Sequence, residues 1–188
     1  MRGHVDLLTR RGRNVVLGNI SDLRLAGAGW QVTGHEADRV VICLGPWSPE
    51  LMARFGYRVP MVRKRGFHRH CHRAAARRRP VVDTDHGVVP SPMRAGLRMT
   101  SGAALVSPEA PASPVQQARG ETALRGRMGL GPRAAPEPWF GHRPCPCLPD
   151  MLQQKGPLPQ QARLWVNFGH GHQGFTLRPT TGTLWPRR

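Results

Sequence analysis

The clearest hydrophobic pattern in the chain is a continuous apolar run over residues 39–44 (RVVICL), which ends at a Gly-Pro pair. A short run of this kind, rich in β-branched residues, is typical of a strand buried on both faces, as in a parallel sheet. Residues 48–55 (SPELMARF) follow, and Ser48 as N-cap with Pro49 at the first helical position predicts a helix. The pattern therefore predicts a strand, a turn and a helix in this order.

The remaining hydrophobic patterns predict mostly short strands. They place strands at residues 14–17, 30–33, 58–70, 81–90, 96–104, 139–143 and 164–168. They place helices at residues 4–11 and 113–128 and from Phe175 onward, and a polar loop at residues 153–161. This order is a β/α part, a β-rich part with one helix, and a returning strand and helix. It favours a mixed α+β and α/β fold in which one domain is inserted into another.

Three glycines near the end of the sequence, Gly169, Gly171 and Gly174, spell G-x-G-x-x-G after the predicted strand at residues 164–168. A dinucleotide-binding unit with this spacing also needs a second strand and an acidic residue about 20 positions later. No Asp or Glu follows Gly174, so an ordinary unit of this kind is not expected. A strand, a glycine turn and a helix N-terminus remain, and such a turn can direct N–H groups at negative charge.

The charge of the chain raises the possibility of a nucleic-acid partner. Lys and Arg number 28 against 11 Asp and Glu, which gives a formal charge of +17. The densest basic stretch, residues 63–79, contains one aromatic residue, Phe67. A single-strand binder would need several interleaved aromatic residues, so a solvated basic loop is favoured and no nucleic-acid partner is expected. A basic nucleic-acid-binding protein remains the third hypothesis for the chain.

Metal and membrane signals are weak. The sequences HRHCH (residues 68–72) and CPC (residues 145–147) lack the C-x(2–4)-C spacing of structural zinc sites, and no metal is predicted. Alternation along a strand would instead place His68, His70 and His72 on one face. No apolar run reaches about 18 residues, so no transmembrane segment is expected, and the four cysteines are expected to be thiols.

Three stretches occur in an order that resembles a known family: residues 37–51 (ADRVVICLGPWSPEL), residues 64–70 (KRGFHRH) and residues 141–182, which begin GHRP and contain FGHGHQGF. Together they resemble the FAD-dependent D-amino-acid oxidase and dehydrogenase superfamily, closest to bacterial D-amino-acid dehydrogenases. The resemblance implies a partial FAD-binding Rossmann-like domain with an inserted antiparallel-sheet substrate domain. The implied boundaries are residues 1–56 for the FAD-binding part, 57–143 for the substrate domain and 144–188 for the return to the FAD-binding part.

The resemblance also implies a cofactor, FAD, and residues that contact it and the substrate. Arg143 of GHRP matches the arginine that pairs with the substrate carboxylate, and His68 lies where the sheet faces the substrate. No catalytic acid or base is implied, because the chemistry is hydride transfer from the substrate α-carbon to the flavin. The implied cofactor residues are Leu44, Gly45 and Trp47 at the end of the first strand, and Gly171, His172, Gln173, Gly174, Phe175 and Thr176 in the late turn.

Some features depart from the family pattern. The amino-terminal dinucleotide motif has no counterpart here, RPCPCLPD is about two residues longer than usual, and Arg178 replaces a glycine. These departures lead us to expect a truncated form. Residues 1–14 lack a signal-peptide core, so we expect the protein to be cytoplasmic, either free or peripheral to the inner membrane. Its partners would be a small amino-acid substrate and either a missing amino-terminal half or an electron acceptor. The alternative hypothesis is a non-catalytic remnant or interaction module.

Overall fold

The chain was analysed as a computed structural model, which describes residues 2–73, 79–105, 107, 110–111, 115–135, 144–161 and 163–183. The helices are α1 (Arg2–Arg10), α2 (Ser48–Ala53), α3 (Val115–Met128) and α4 (Gly174–Thr183). Short 3₁₀ turns occupy Ile20–Asp22, Gly45–Trp47 and Gly171–Gln173. The strands are β1 (Arg24–Ala26), β2 (Gly29–Val32), β3 (His35–Ala37), β4 (Val40–Ile42), β5 (Val62–Arg73), β6 (Val89–Met93), β7 (Gly96–Leu105), β8 (Leu130–Arg133), β9 (Pro144–Cys147), β10 (Gln154–Pro157) and β11 (Leu164–Phe168).

These strands form three sheets. β1, β2 and β3 make an antiparallel meander, and β10, β11 and β4 make a second sheet. The largest sheet has the order β6-β7-β5-β8, with β9 paired to β5 as well. Every pairing in this largest sheet is antiparallel. The result is the mixed α/β architecture with antiparallel sheets that the hydrophobic pattern predicts.

The second sheet joins the chain segments that lie before and after the predicted insertion. β11 pairs with β4 in parallel, with Val41 opposite Trp165, which confirms a parallel strand at residues 39–44. The expectation that this strand is buried on both faces is wrong, because the Val41 residue is 41% exposed. One face packs into a core that contains Ile42, Leu164 and Phe168. The other face of β4 is left partly open in the described part of the chain.

The helix after β4 closes this core. Leu51 and Met52 of α2 are buried against it, and the Trp30 ring meets Phe55 edge to face with centroids 5.4 Å apart. The predicted N-cap is wrong. The cap residue is Trp47, because the 3₁₀ turn runs directly into α2 and gives Ser48 helical angles. The Ser48 hydroxyl is buried with no hydrogen-bond partner among the described residues.

The largest sheet has two different faces, which we call the outer face and the inner face. The outer face carries α3 and a core formed by Cys71, Leu97, Met99, Leu124 and Val88. The inner face is the opposite one. Pairing of β5 with β7 and of β7 with β6 places His68, His70, Arg98, Thr100 and Ser91 on the inner face.

Other sequence expectations are wrong. Residues 14–17 form no strand and Leu17 is 98% exposed, because no described strand lies beside them to complete a ladder. The predicted loop at residues 153–161 contains β10, an edge strand that pairs with β11. Pro157 is compatible with that position because an edge strand tolerates a missing N–H.

Two further predictions concern the helix after Phe175 and the strand at residues 139–143. Pro179 lies inside α4 and not in its first turn, so the helix lacks the N–H that would bond the Phe175 carbonyl. The strand predicted at residues 139–143 lies outside the described residues. The domain boundaries at residues 56 and 143 stay a prediction.

Candidate functional site

The first element of the candidate site is the turn that follows β4, residues 44–47. Gly45 has a φ of +56°, and a Cβ added there would meet no atom within 4 Å. A left-handed φ favours glycine, and the open space beside it leaves room for a ligand. Trp47 is 59% exposed, while Leu44 packs against the neighbouring core.

A groove of about 400 Å³ adjoins this turn, and its lining includes Leu44, Trp47, Ile20 and Leu51. Its lining is mostly apolar, with Glu50 and Arg54 as the charged members. Pockets for cofactors are commonly concave, apolar and of this size. The turn at residues 44–47 therefore borders a mostly apolar groove of the kind that cofactor pockets provide.

The second element is the turn at residues 171–176, between β11 and α4. Gly171 has a φ of +57° and begins a 3₁₀ turn that continues into α4 at Gly174. The side chains of His172, Gln173 and Thr176 are exposed, and Phe175 is 80% exposed. The first turn of a helix carries positive partial charge, so this element can attract an anionic group.

Strand β9 connects the two turns. Cys147 at its end pairs with Val62 of β5 and makes a bridge with His170, directly before the second turn. The strand also lies beside the Gly45–Trp47 turn. A Cβ on Gly171 would sit 3.9 Å from the Cys147 sulfur. The fold therefore gathers the two sequence-predicted cofactor turns around one short strand.

His170 anchors the second turn and was missed by the sequence analysis. Burial lowers the pKa of its imidazole, so the neutral form is favoured. Its Nε2 atom lies 3.2 Å from the hydroxyl of Thr181, which is 1% exposed on α4. The contact ties the start of the turn to the body of the helix. In the sequence, His170 and His172 look alike, and only the fold separates the partly buried His170 from the exposed His172.

The predicted substrate residues are placed only in part. Arg143 lies outside the described residues, although the next residue, Pro144, pairs with Arg65 of β5. His68 is half-buried on the inner face, and its ring stands edge-on to His70 with centroids 5.6 Å apart. The two histidines share one face, as strand alternation predicts.

Arg98 is a residue that the sequence analysis did not single out. It pairs with His70 across β5 and β7 and with Ser91 across β7 and β6, so all three share the inner face. Its Nε atom is buried and has no hydrogen-bond partner among the described residues. A buried donor without a partner carries a desolvation cost, which a ligand acceptor can remove.

The outer face neutralises its cations. Glu121 of α3 is 2% exposed and pairs with Arg69, Arg125 and Arg133. Burial by itself would raise the pKa of Glu121, but hydrogen bonds from Arg133, Arg69 and Arg125 lower it to about 2. This cluster fastens α3 to β5 and β8. No signal beyond the spacing of Glu121 and Arg125 marks it in the sequence.

The described part of the chain shows neither a metal cluster nor a membrane-spanning helix. Within the described ranges no group of three or more His, Cys, Asp and Glu side chains can hold a metal ion. Cys43, Cys71 and Cys147 are free thiols. No described helix combines the length and the apolar character that crossing a bilayer requires.

The turns that follow the two parallel strands thus both lie beside β9, next to the antiparallel sheet. A family model described as FAD dependent oxidoreductase (DAO) matches residues 1–185. The chain belongs to this family, and FAD is the family's cofactor.

Relatives and solved structures agree with this assignment. A D-amino acid dehydrogenase of Xylella fastidiosa (strain M12) is 29% identical over 163 residues, which cover 85% of this chain and 37% of the relative. One of Cereibacter sphaeroides is 31% identical over 174 residues, covering 82% of this chain and 37% of the relative. The chain thus spans little more than a third of the length of these relatives.

Two crystal structures share the fold. Glycine oxidase from Geobacillus kaustophilus has a TM-score of 0.70 at 21% identity, covering 87% of this chain and 45% of that one. Iminodiacetate oxidase from Chelativorans sp. BNC1 has a TM-score of 0.71 at 19% identity, covering 95% and 50%. These likenesses confirm the predicted fold class, a Rossmann-like FAD-binding part combined with an antiparallel-sheet part.

Proposed function

We propose that this chain is the flavin-contacting and substrate-facing part of an FAD-dependent dehydrogenase that oxidises D-amino acids. The observation that carries the proposal is the position of β9. It lies beside the Gly45–Trp47 turn and the Gly171–Gln173 turn at once. The relatives named D-amino acid dehydrogenase support the choice of substrate class.

The two turns supply the flavin contacts in this proposal. Gly45 presents backbone and open space where a side chain would occupy the cofactor volume. The N-terminal end of α4 faces the electron-accepting ring system and favours negative charge there. The residues proposed to contact FAD are Leu44, Gly45, Trp47, Gly171, His172, Gln173, Gly174, Phe175 and Thr176.

Substrate binding rests on Arg143 and His68. The planar guanidinium of Arg143 can hold the substrate α-carboxylate through two parallel hydrogen bonds. His68 stands on the inner face, where its ring can border the substrate. In this arrangement the residues of the chain fix the position of the α-carbon and limit the access of water.

FAD, when bound, accepts the hydride that leaves the substrate α-carbon. The amine lone pair forms the new C–N double bond, and one amine proton leaves to solvent. Water then hydrolyses the imino acid to a 2-oxo acid and ammonia. A substrate that arrives with a neutral amine needs no dedicated acid or base, and none is assigned to this chain.

The remaining part of the proposal concerns partners. An amino-terminal segment that holds the ADP half of FAD would complete the fold, and an electron acceptor would reoxidise the flavin. A cytoplasmic location, either free or at the inner membrane surface, belongs to the same proposal.

A titration with FAD tests the proposal, and the chain offers a matched pair of variants. Gly45 and Gly56 both have positive φ, +56° and +83°, and a Cβ at either would meet nothing within 4 Å. Gly45→Ala and Gly56→Ala therefore impose a similar backbone strain of about 1 kcal/mol. Only Gly45→Ala should weaken FAD binding, by about tenfold or more, as measured by flavin absorbance and fluorescence.

The titration is done on the chain alone and on the chain co-expressed with an amino-terminal dinucleotide-binding segment. Oxidation of D-alanine with dye reduction, compared with L-alanine, then tests the substrate class. Absence of flavin from both preparations would contradict the proposal, and so would an equal loss of FAD affinity in the two glycine variants.

A further inference from the structure

The inner face of the largest sheet has an unbalanced charge. The strands β5, β6 and β7 contain no Asp or Glu at any position. The inner positions of these strands include Lys64, His68, His70 and Arg98. On the outer face, by contrast, α3 provides Glu121 as the partner of Arg69. Strands β5, β6 and β7 therefore place no carboxylate beside Arg98 on the inner face.

Arg98 is the inner-face cation best placed to receive an anion. Its Nε donor is buried with no hydrogen-bond partner in the described chain, and its pairing places His70 on one side and Ser91 on the other. Thr100, two residues along the same strand, shares this face. An imidazole and two hydroxyl groups can add hydrogen bonds to an anion held by the guanidinium.

We infer that Arg98, flanked by His70 and Ser91, binds the side-chain carboxylate of an acidic amino acid substrate. The inference rests on the proposed function, in which Arg143 takes the α-carboxylate and leaves Arg98 for a second one. A guanidinium matches a carboxylate better than it matches an amide, because two of its N–H groups can donate in parallel to the two charged oxygens. Arg98 is therefore a residue that sets substrate choice among amino acids and takes no part in the hydride transfer.

D-glutamate and D-glutamine test this inference, because they have nearly the same shape and differ in the charge of the side chain. Their affinities are measured by calorimetry, and the Nε–H resonance of Arg98 is followed by ¹⁵N NMR. We expect D-glutamate to bind about tenfold more tightly than D-glutamine and to shift this resonance. In Arg98→Gln the preference should disappear.

Arg94→Gln is the matched control, because Arg94 is an exposed arginine in the turn between β6 and β7 and should leave the preference unchanged. Equal affinity for the two ligands in the unaltered chain, or a preference that survives in Arg98→Gln, would overturn the inference. Each titration is run with and without FAD. Loss of FAD binding with a retained, Arg98-dependent preference would contradict only the proposed flavin function. Retained FAD binding without any preference would contradict only the role of Arg98.

Discussion

The outer and inner faces of the largest sheet handle positive charge in opposite ways. On the outer face, Arg69 meets Glu121 under a helix, and the side chain of Glu121 is 2% exposed. On the inner face, Arg98 has a buried Nε and no carboxylate among the described residues. Buried charge is costly unless it is paired. The outer face therefore uses its charge for stability, whereas the inner face keeps its charge for a ligand.

The largest expected effect comes from removing the outer-face carboxylate. Glu121→Gln should lower the free energy of unfolding by about 4 kcal/mol, because the buried carboxylate makes charged pairs with three arginines, Arg69, Arg125 and Arg133, that the amide cannot replace. Chemical denaturation measures the loss. Glu50→Gln is the control, because its pair with Arg63 is exposed and should contribute less than about 1 kcal/mol. Equal losses in the two variants would remove the distinction between the covered pair and an exposed one.

Truncating an apolar side chain should also cost more free energy of unfolding on the outer face than on the inner face. Leu124→Ala removes a side chain that is 1% exposed beneath α3 and should cost about 3 kcal/mol. Leu105→Ala alters a residue that is 67% exposed on β7 and should cost less than about 0.5 kcal/mol. Thermal denaturation of both variants checks the order. A larger loss at Leu105 would show that the inner side is covered in solution.

Acid should reduce the stabilisation that the Glu121 cluster gives to the outer face. The pKa of Glu121 is lowered from 4.5 to about 2 in the folded chain, so its stabilising effect is complete above the unfolded value. That effect is lost as the pH falls from about 5 toward 2, because the unfolded chain takes up the proton first. Unfolding measured across this range should therefore depend less on pH in Glu121→Gln. An unchanged dependence would contradict the role of the cluster.

The smallest effect is expected for the inner-face arginine. Arg98→Met keeps the apolar stem and removes a buried donor that has no partner. The free energy of unfolding should stay the same or rise by up to about 1 kcal/mol. A loss of more than about 1 kcal/mol in urea denaturation would show that Arg98 stabilises the fold, and the contrast between the two faces would then disappear.

Sequence patterns predicted several strands correctly. The apolar runs at residues 39–44 and 164–168 correspond to β4 and β11, and the strands predicted at residues 58–70 and 96–104 correspond to β5 and β7. Patterns failed where a partner strand decides the structure. β10 is a strand because β11 lies beside it, although Lys155, Gly156 and Pro157 have low strand propensity. Residues 14–17 have high propensity and no described partner.

The candidate site was predictable only through its glycines and the family resemblance. Gly45 and Gly171 were predicted from the family resemblance, and in the structure both have the left-handed φ that favours glycine. The role of Arg98 depends on cross-strand register, which brings it beside His70 from another strand. The Glu121 cluster likewise joins residues up to 52 positions apart. Contacts of this range leave no local pattern in a sequence.

The parallel pairing of β4 with β11 also bears on the order of folding. When Val41 leaves the ribosome, its partner Trp165 is still about 120 residues from being synthesised, and domains form largely in the order of synthesis. The β6-β7 hairpin of the large sheet has a two-residue loop and can form in the meantime. We therefore expect the turn at residues 171–176 to take its place beside β9 only after β11 has paired with β4, so that the β6-β7 hairpin folds before the two proposed flavin contacts come together.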